Sequence, residues 1–271
     1  LSTLARQQSK VFSEIGHYIA NTKADVMNGS FGTPYSSIEG IIGVIFKKFY
    51  KREATKEELK KFTTYFFTIQ LDEMKKFVNS SPKTLFIFAA GNEGTSNDEL
   101  PTSPANVEAE NKITVAASLA DQSLAVFSNF GILNVDVAAP GVGIVSTIPM
   151  DNKIEVSGTS QASPYEANIA GRIKDINSKL LPSDIKKIIL ETVDVKEWLK
   201  GKVKTSGLVN LERALRAATL STSMDLISAI AKSKTDIVAE NNLDQQVSNR
   251  YFQVPSDLIT PMPNPINFTI E

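Results

Sequence analysis

A doubly wound α/β fold, built on a mostly parallel sheet with helices on both faces, is the class this sequence predicts. Strand-like and helix-like segments alternate from about residue 24 to residue 177, the order that generates βαβ units. The strand-like segments are continuous apolar runs, as in "KTLFIFAAGNEG", and a strand covered on both faces reads that way. The 271 residues are 42% hydrophobic and 22% charged, enough for one large domain or two small ones with a sizeable core.

Residues 4–22 are expected as a helix, because Leu4, Val11, Phe12, Ile15 and Ile19 fall near helical spacing. "ADVMNGSFG" then predicts a short buried strand ending at Gly32. One or two long helices are expected over 36–80, where Leu59, Phe62, Phe66 and Ile69 repeat at three and four and mark a core face. Between them "KKFYKREATKEELKK" carries seven Lys/Arg against three Glu and is expected as a solvated helix turn rather than a docking patch. "KTLFIFAAGNEG" predicts a parallel strand bounded by Pro82 and Gly91, and "KITVAAS", "VDVAAP" and "GIVSTI" predict three more buried strands. A helix follows over 160–177. Another opens at Pro182-Ser183 of "LPSDIKKIILETV", and a short one is entered near Asn210 of "GLVNLERALRAAT". After Thr219 the pattern weakens, and "VPSDLITPMPNPINFTIE", with four prolines, is expected as extended chain.

Composition narrows the partners. A net charge of −1 gives no reason to expect nucleic acid or an anionic membrane. The absence of cysteine excludes disulfides and thiolate zinc sites. No apolar run reaches membrane-spanning length, Ile41 to Phe46 being the longest candidate, and "LSTLARQQSK" does not read as a signal peptide. The first residue is Leu1 rather than methionine, which suggests a processed or truncated product.

The chemistry concentrates in "VSGTSQASPYEANIAGRI". The small-residue turn Gly158-Thr159-Ser160 opens directly into a helix, so a serine hydroxyl stands at a helix N-terminus, where backbone dipoles favour negative charge. Such a nucleophile needs a base, and the one histidine, His17, lies far upstream in a predicted helix. An α/β-hydrolase elbow is excluded, because Ala162 stands where a glycine is required and no histidine follows. Ser80 and Lys83 match S-x-x-K only within a proline-broken loop. No H-E-x-x-H pattern is present, which excludes a zinc protease of that type.

"FIFAAGNEGT", "VDVAAPG" and "VSGTSQASP" resemble, in order and spacing, three blocks of the subtilisin-like serine proteases. "ADVMNGSFG", "FSNFG" and "SGLVNLERAL" are similar to further segments of that family. The resemblance covers about residues 5–219. It implies that 1–219 is the C-terminal portion of a subtilisin-like catalytic domain with a helical insertion at 33–68. Residues 220–271 then form an extension, packed on the body or leading to a further region.

By that resemblance Ser160 is the nucleophile, and Asn92 forms the oxyanion hole together with the Ser160 backbone N–H. The donors would stabilise the charge that develops on the tetrahedral intermediate. Ser30, Phe31 and Gly32 match the segment that pairs with an extended substrate. Ala89, Ala90 and Gly91 match a wall of the specificity pocket, Glu93 and Thr102 lie toward its base, and Thr159 belongs to the substrate-binding set. Tyr165-Glu166 and Asn168 depart from the family pattern, which places His-Val and Gly there.

The family's triad Asp and His blocks lie upstream of the "SFG" segment and are absent from these residues. His17, Asp25 and Asp136 are read as structural. The resemblance thus implies a serine endopeptidase acting on polypeptides, whose isolated 271 residues are inactive until an upstream segment or a second chain supplies the acid and base. A pseudoprotease that grips peptides without cutting and one half of a split protease are the alternatives. No cofactor is required for the chemistry. Structural calcium is common in the family, though no acidic loop marks a site. A secreted or periplasmic location is implied.

Overall fold

The computed structural model describes residues 2–238. Helix α1 (Ser2–Thr22) leads into strand β1 (Val26–Gly29), strand β2 (Thr33–Pro34) and helix α2 (Tyr35–Ile45), which passes straight into a π-helical turn at Phe46–Tyr50. Lys51, in the left-handed region at φ 57°, ends that turn. Helix α3 (Lys56–Asn79) starts on a capping box, in which Thr55 Oγ1 accepts from the Glu58 N–H and the Glu58 carboxylate accepts from the Thr55 N–H. Strands β3 (Leu85–Ala89), β4 (Thr102–Ser103), β5 (Lys112–Leu119), β6 (Ser123–Leu124) and β7 (Val137–Pro140) follow. Then come β8 (Ile144–Ile148), β9 (Asn152–Val156), α4 (Thr159–Ile176) and α5 (Pro182–Glu191). Strands β10 (Asp194–Val195) and β11 (Gly207–Leu208) and helices α6 (Leu211–Leu220) and α7 (Leu226–Asp236) complete the described residues.

The main sheet runs β1-β3-β5-β7-β11-β10, parallel except for β10, with β6 antiparallel to β5. Along β3 the side chains alternate between two cores. Leu85 and Ile87 pack with Ile169 and Ile173 of α4 and Ile185 and Ile188 of α5, whereas Phe86 and Phe88 pack with Ile19 of α1 and Met74 and Phe77 of α3. Helices therefore cover both faces. This is the doubly wound architecture expected from the continuous apolar runs.

Several segments differ from expectation. "GIVSTI" is not a buried strand: β8 pairs only with β9, in an exposed antiparallel hairpin turned through Met150 and Asp151, both at positive φ. An apolar run of that length does not say which sheet, if any, it joins. β1 ends at Gly29 and is only half-buried at Val26 and Met27, because it pairs with β3 on one side alone. In α1, Phe12 and Ile19 turn inward while Val11 and Ile15 stay exposed. α3 runs unbroken through residue 68, where the end of the helical insertion was expected. α7, past Thr219, is a helix the pattern does not reveal. It is capped by Asp225 and buries Ala229, Ile230 and Ser233, a face on which Ile230 is the one large apolar side chain and which makes no clear apolar stripe. The proline-rich segment beyond residue 250 lies outside the described residues.

Candidate active site

The C-terminal ends of β1, β3 and β7 converge on the N-terminus of α4, where open parallel sheets bind ligands. The chain leaving β7 turns at Gly141, whose carbonyl accepts from the Gly158 N–H at 2.8 Å. A Cβ at Gly141 would sit 2.7 Å from the Ala117 methyl and 2.8 Å from the Gly158 carbonyl. Only glycine lets the two backbone segments approach so closely. Ser160 follows in the first turn of α4, whose leading N–H groups have no intrahelical acceptor and point toward the same end. Its side chain is half-buried, and Oγ donates to the Ser30 carbonyl at 3.4 Å.

Asn92 comes off the end of β3. Its Oδ1 accepts from both the N–H and the hydroxyl of Thr159, each at 2.9 Å. With the carbonyl side committed to Thr159, Nδ2 is left without a bond and lies 3.7 Å from where a Gly158 Cβ would be, beside the turn that leads into Ser160. The structure therefore brings Asn92 and Ser160 to one place. Thr159 has a different part from the one expected. It is fully buried, and its hydroxyl is used by Asn92 and by the Gly91 N–H at 3.2 Å, so it positions Asn92 and has no surface to offer a substrate.

Ser30, Phe31 and Gly32 form the opposite wall. The Ser30 hydroxyl donates to the Ser160 carbonyl at 2.8 Å and stands 2.9 Å from the Ser163 hydroxyl, which in turn donates to Asn28. Phe31 is partly exposed and stacks on Phe12, while Gly32 is exposed beside Thr102 and Ser103. Of the expected pocket wall, Ala89 and Ala90 are buried and lie behind it. Gly91 alone has accessible surface.

Beneath Gly91 sits a polar hub that sequence reasoning does not single out. Asn129, in "FSNFG", donates from Nδ2 to Glu93 Oε2 at 2.7 Å and to Asn97 Oδ1 at 3.1 Å, and its Oδ1 accepts from the Glu93 and Thr95 N–H groups. Thr102 joins through Asn97. Glu93 and Thr102, both expected near the pocket base, thus meet through Asn129 and Asn97, with Thr102 buried and Glu93 exposed. Gly91, at φ 113°, has no room for a Cβ against Asn129 and Glu93.

His17 is exposed on α1, across the sheet from α4, and so is not brought to Ser160. Asp25 pairs with Lys174 at 3.4 Å, and the buried Asp136 accepts from the Thr114 N–H at 2.8 Å. Among the described residues no group of three or more His, Asp or Glu could hold a metal ion. One titratable group is out of place. Glu166, in the sheet-facing side of α4, is fully buried with neither carboxylate oxygen bonded, and desolvation pushes its pKa up to about 8.

The profile of the subtilase family (Peptidase S8) matches residues 6–251. Alkaline elastase YaB of Bacillus sp. strain YaB is 33% identical over 153 residues, covering 53% of this chain and 36% of that protein. Subtilisin BL of Lederbergia lenta is 32% identical over 153 residues, covering 53% of this chain and 51% of that protein. This chain therefore spans about half or less of those relatives. The structure of the prenylagaramide maturation protease PagA superposes with a TM-score of 0.54 at 21% identity, covering 78% of this chain and 66% of the other, a likeness of fold. With the profile matched over most of its length and a serine at the head of α4 facing an asparagine from β3, the chain belongs to the subtilase family of serine proteases.

Proposed function

We propose that this chain is the nucleophile-bearing portion of a subtilisin-type serine endopeptidase whose acid and base come from residues outside these 271. The orientation of Asn92 carries the reading. Its carbonyl side is held by Thr159, which leaves Nδ2 unbonded beside the turn that presents Ser160. In the complete enzyme the Ser160 Oγ attacks the scissile carbonyl while a base takes its proton. The oxyanion accepts from Asn92 Nδ2 and the Ser160 N–H. Collapse expels the amine, which leaves with that proton, and water then releases the acyl group. The Ser30–Gly32 strand would hold the substrate by backbone pairing. Export to the periplasm or outside the cell belongs to the same reading and rests on family resemblance alone.

A pseudoprotease that keeps the cleft for peptide binding is the second reading. It is favoured by one observation, that the single histidine sits on the far face of the sheet. Fluorophosphonate labelling separates the two. Loss of the base from such a triad lowers kcat by about 10⁶, so the 271 residues alone are expected to label only very slowly. Adding the upstream segment, in cis or as a separate fragment, restores fast labelling at Ser160 if the chain is part of a protease, and leaves it slow if it is a pseudoprotease. Fast labelling of the 271 residues that is abolished by His17→Ala would overturn the whole assignment of the base.

A further inference from the structure

The α2–α3 hairpin carries apolar side chains on both its inner and its outer surface. Inside, Ile38, Ile42, Phe46, Phe66 and Phe67 close the seam between the helices. Outside, Ile41 and Val44 of α2, Phe49 and Tyr50 of the π-helical turn and Tyr65 of α3 are exposed, Phe49 by 68% and Tyr50 by 63%. Phe49, Tyr50, Phe62 and Tyr65 border an open groove of about 500 Å³.

Charge is uneven at the same tip. From Lys47 to Lys61 seven basic residues face three Glu. Lys47 is paired with Glu53, and Arg52 with Glu58 while it also covers the Phe46 ring. Lys48 and Lys51, which flank the exposed aromatics, have no ion pair among the described residues. Lys48, Phe49, Tyr50 and Lys51 are consecutive and all exposed, so apolar rings, a tyrosine hydroxyl and ammonium groups share the tip. Those are the polarities met on going from acyl chain to headgroup in a lipid interface.

We propose that the tip of this hairpin is a peripheral docking site for an anionic phospholipid surface. The exposed rings and Ile41 and Val44 insert at the acyl boundary, and Lys48 and Lys51 extend to the headgroup phosphates. Nucleic acid would leave the aliphatic patch exposed. A basic patch without the apolar stripe would be held by charge alone. The whole-chain charge of −1 conceals the site, because membrane attraction depends on charge within a Debye length of the surface. No described helix is long and apolar enough to cross a membrane, and surface docking requires none. The base of the hairpin, not its tip, joins the body through β2 and β4 beside Gly32, so the docking tip stands one α2 length, about 16 Å, from that edge of the cleft.

Flotation of the 271-residue chain with liposomes tests this, since aggregates sediment while bound protein rises. The chain is expected to float with phosphatidylcholine vesicles containing about 30% phosphatidylserine, to do so poorly with phosphatidylcholine alone, and to be released near 0.5 M salt, where screening is short (about 3–5 Å). Lys48→Gln with Lys51→Gln should weaken partitioning roughly 30-fold. Phe49→Ser with Tyr50→Ser should weaken it at least about tenfold while the far-UV circular dichroism is unchanged. No flotation with anionic vesicles would overturn the proposal, as would equal flotation with both lipids or two variants that bind like the parent. Capture of an acidic amphipathic peptide without vesicle binding would overturn it in favour of a protein partner.

Discussion

Glu166 offers the most direct physical test of this structure. It lies on the face of α4 that also carries Ala162, Ile169, Ala170 and Ile173, all buried, and neither of its oxygens has a partner. Burial lifts its pKa from 4.5 to about 8. In the unfolded chain the carboxyl ionises near pH 4.5. In the folded chain it keeps its proton to about pH 8, so across that window the folded state holds a proton the unfolded state has lost. Stability contributed by the protonated carboxyl is therefore full below about pH 4.5 and falls as pH rises through about 8. At about 1.4 kcal/mol per pH unit the loss is about 3 kcal/mol by neutral pH and about 5 kcal/mol above the folded pKa. Glu166→Gln cannot ionise and should lack this component. Urea unfolding of both proteins between about pH 5 and 9, followed through the single Trp198, measures it. The stability of the parent relative to the Gln variant should fall by several kcal/mol over that range. A difference that stays flat to within about 0.5 kcal/mol would show that Glu166 is solvated or paired, and the argument from burial would fail.

Three further outcomes follow from the site. In the complete enzyme, Asn92→Ala should lower kcat by about 10²–10³ with KM little changed, a magnitude established for subtilisin itself and adopted here rather than worked from this structure. Thr159→Val removes one of the two hydrogen bonds on Asn92 Oδ1 and should lower kcat by about tenfold, again without a matching change in KM. An unchanged kcat in either variant would separate that residue from the oxyanion. Gly91→Ala forces a Cβ against Asn129 and Glu93 at φ 113° and should cost about 1–3 kcal/mol in denaturant unfolding. A neutral result there would mean that the Asn129 hub can shift.

The sequence by itself determines much of this protein. Continuous apolar runs specify β3, β5 and β7 because a strand buried on both faces needs no polar alternation. The Asn210 cap locates the start of α6, since a cap acts on N–H groups only a few residues away. Gly158-Thr159-Ser160 at the head of α4 is legible for the same reason. What the sequence does not contain is the pairing of groups far apart along the chain. Thr159 holds Asn92 from 67 residues away, and Ser163 reaches Asn28 across 135. Asn129 is an ordinary turn residue until the strands are ordered, and only then does it become the support of Glu93, Asn97 and Gly91. The same ordering leaves His17 across the sheet from Ser160, strips "GIVSTI" of a buried partner, and turns Glu166 into the core. Local periodicity sets which face of an element is apolar. The order of strands in the sheet sets what that face meets, and it depends on all of the contacts at once.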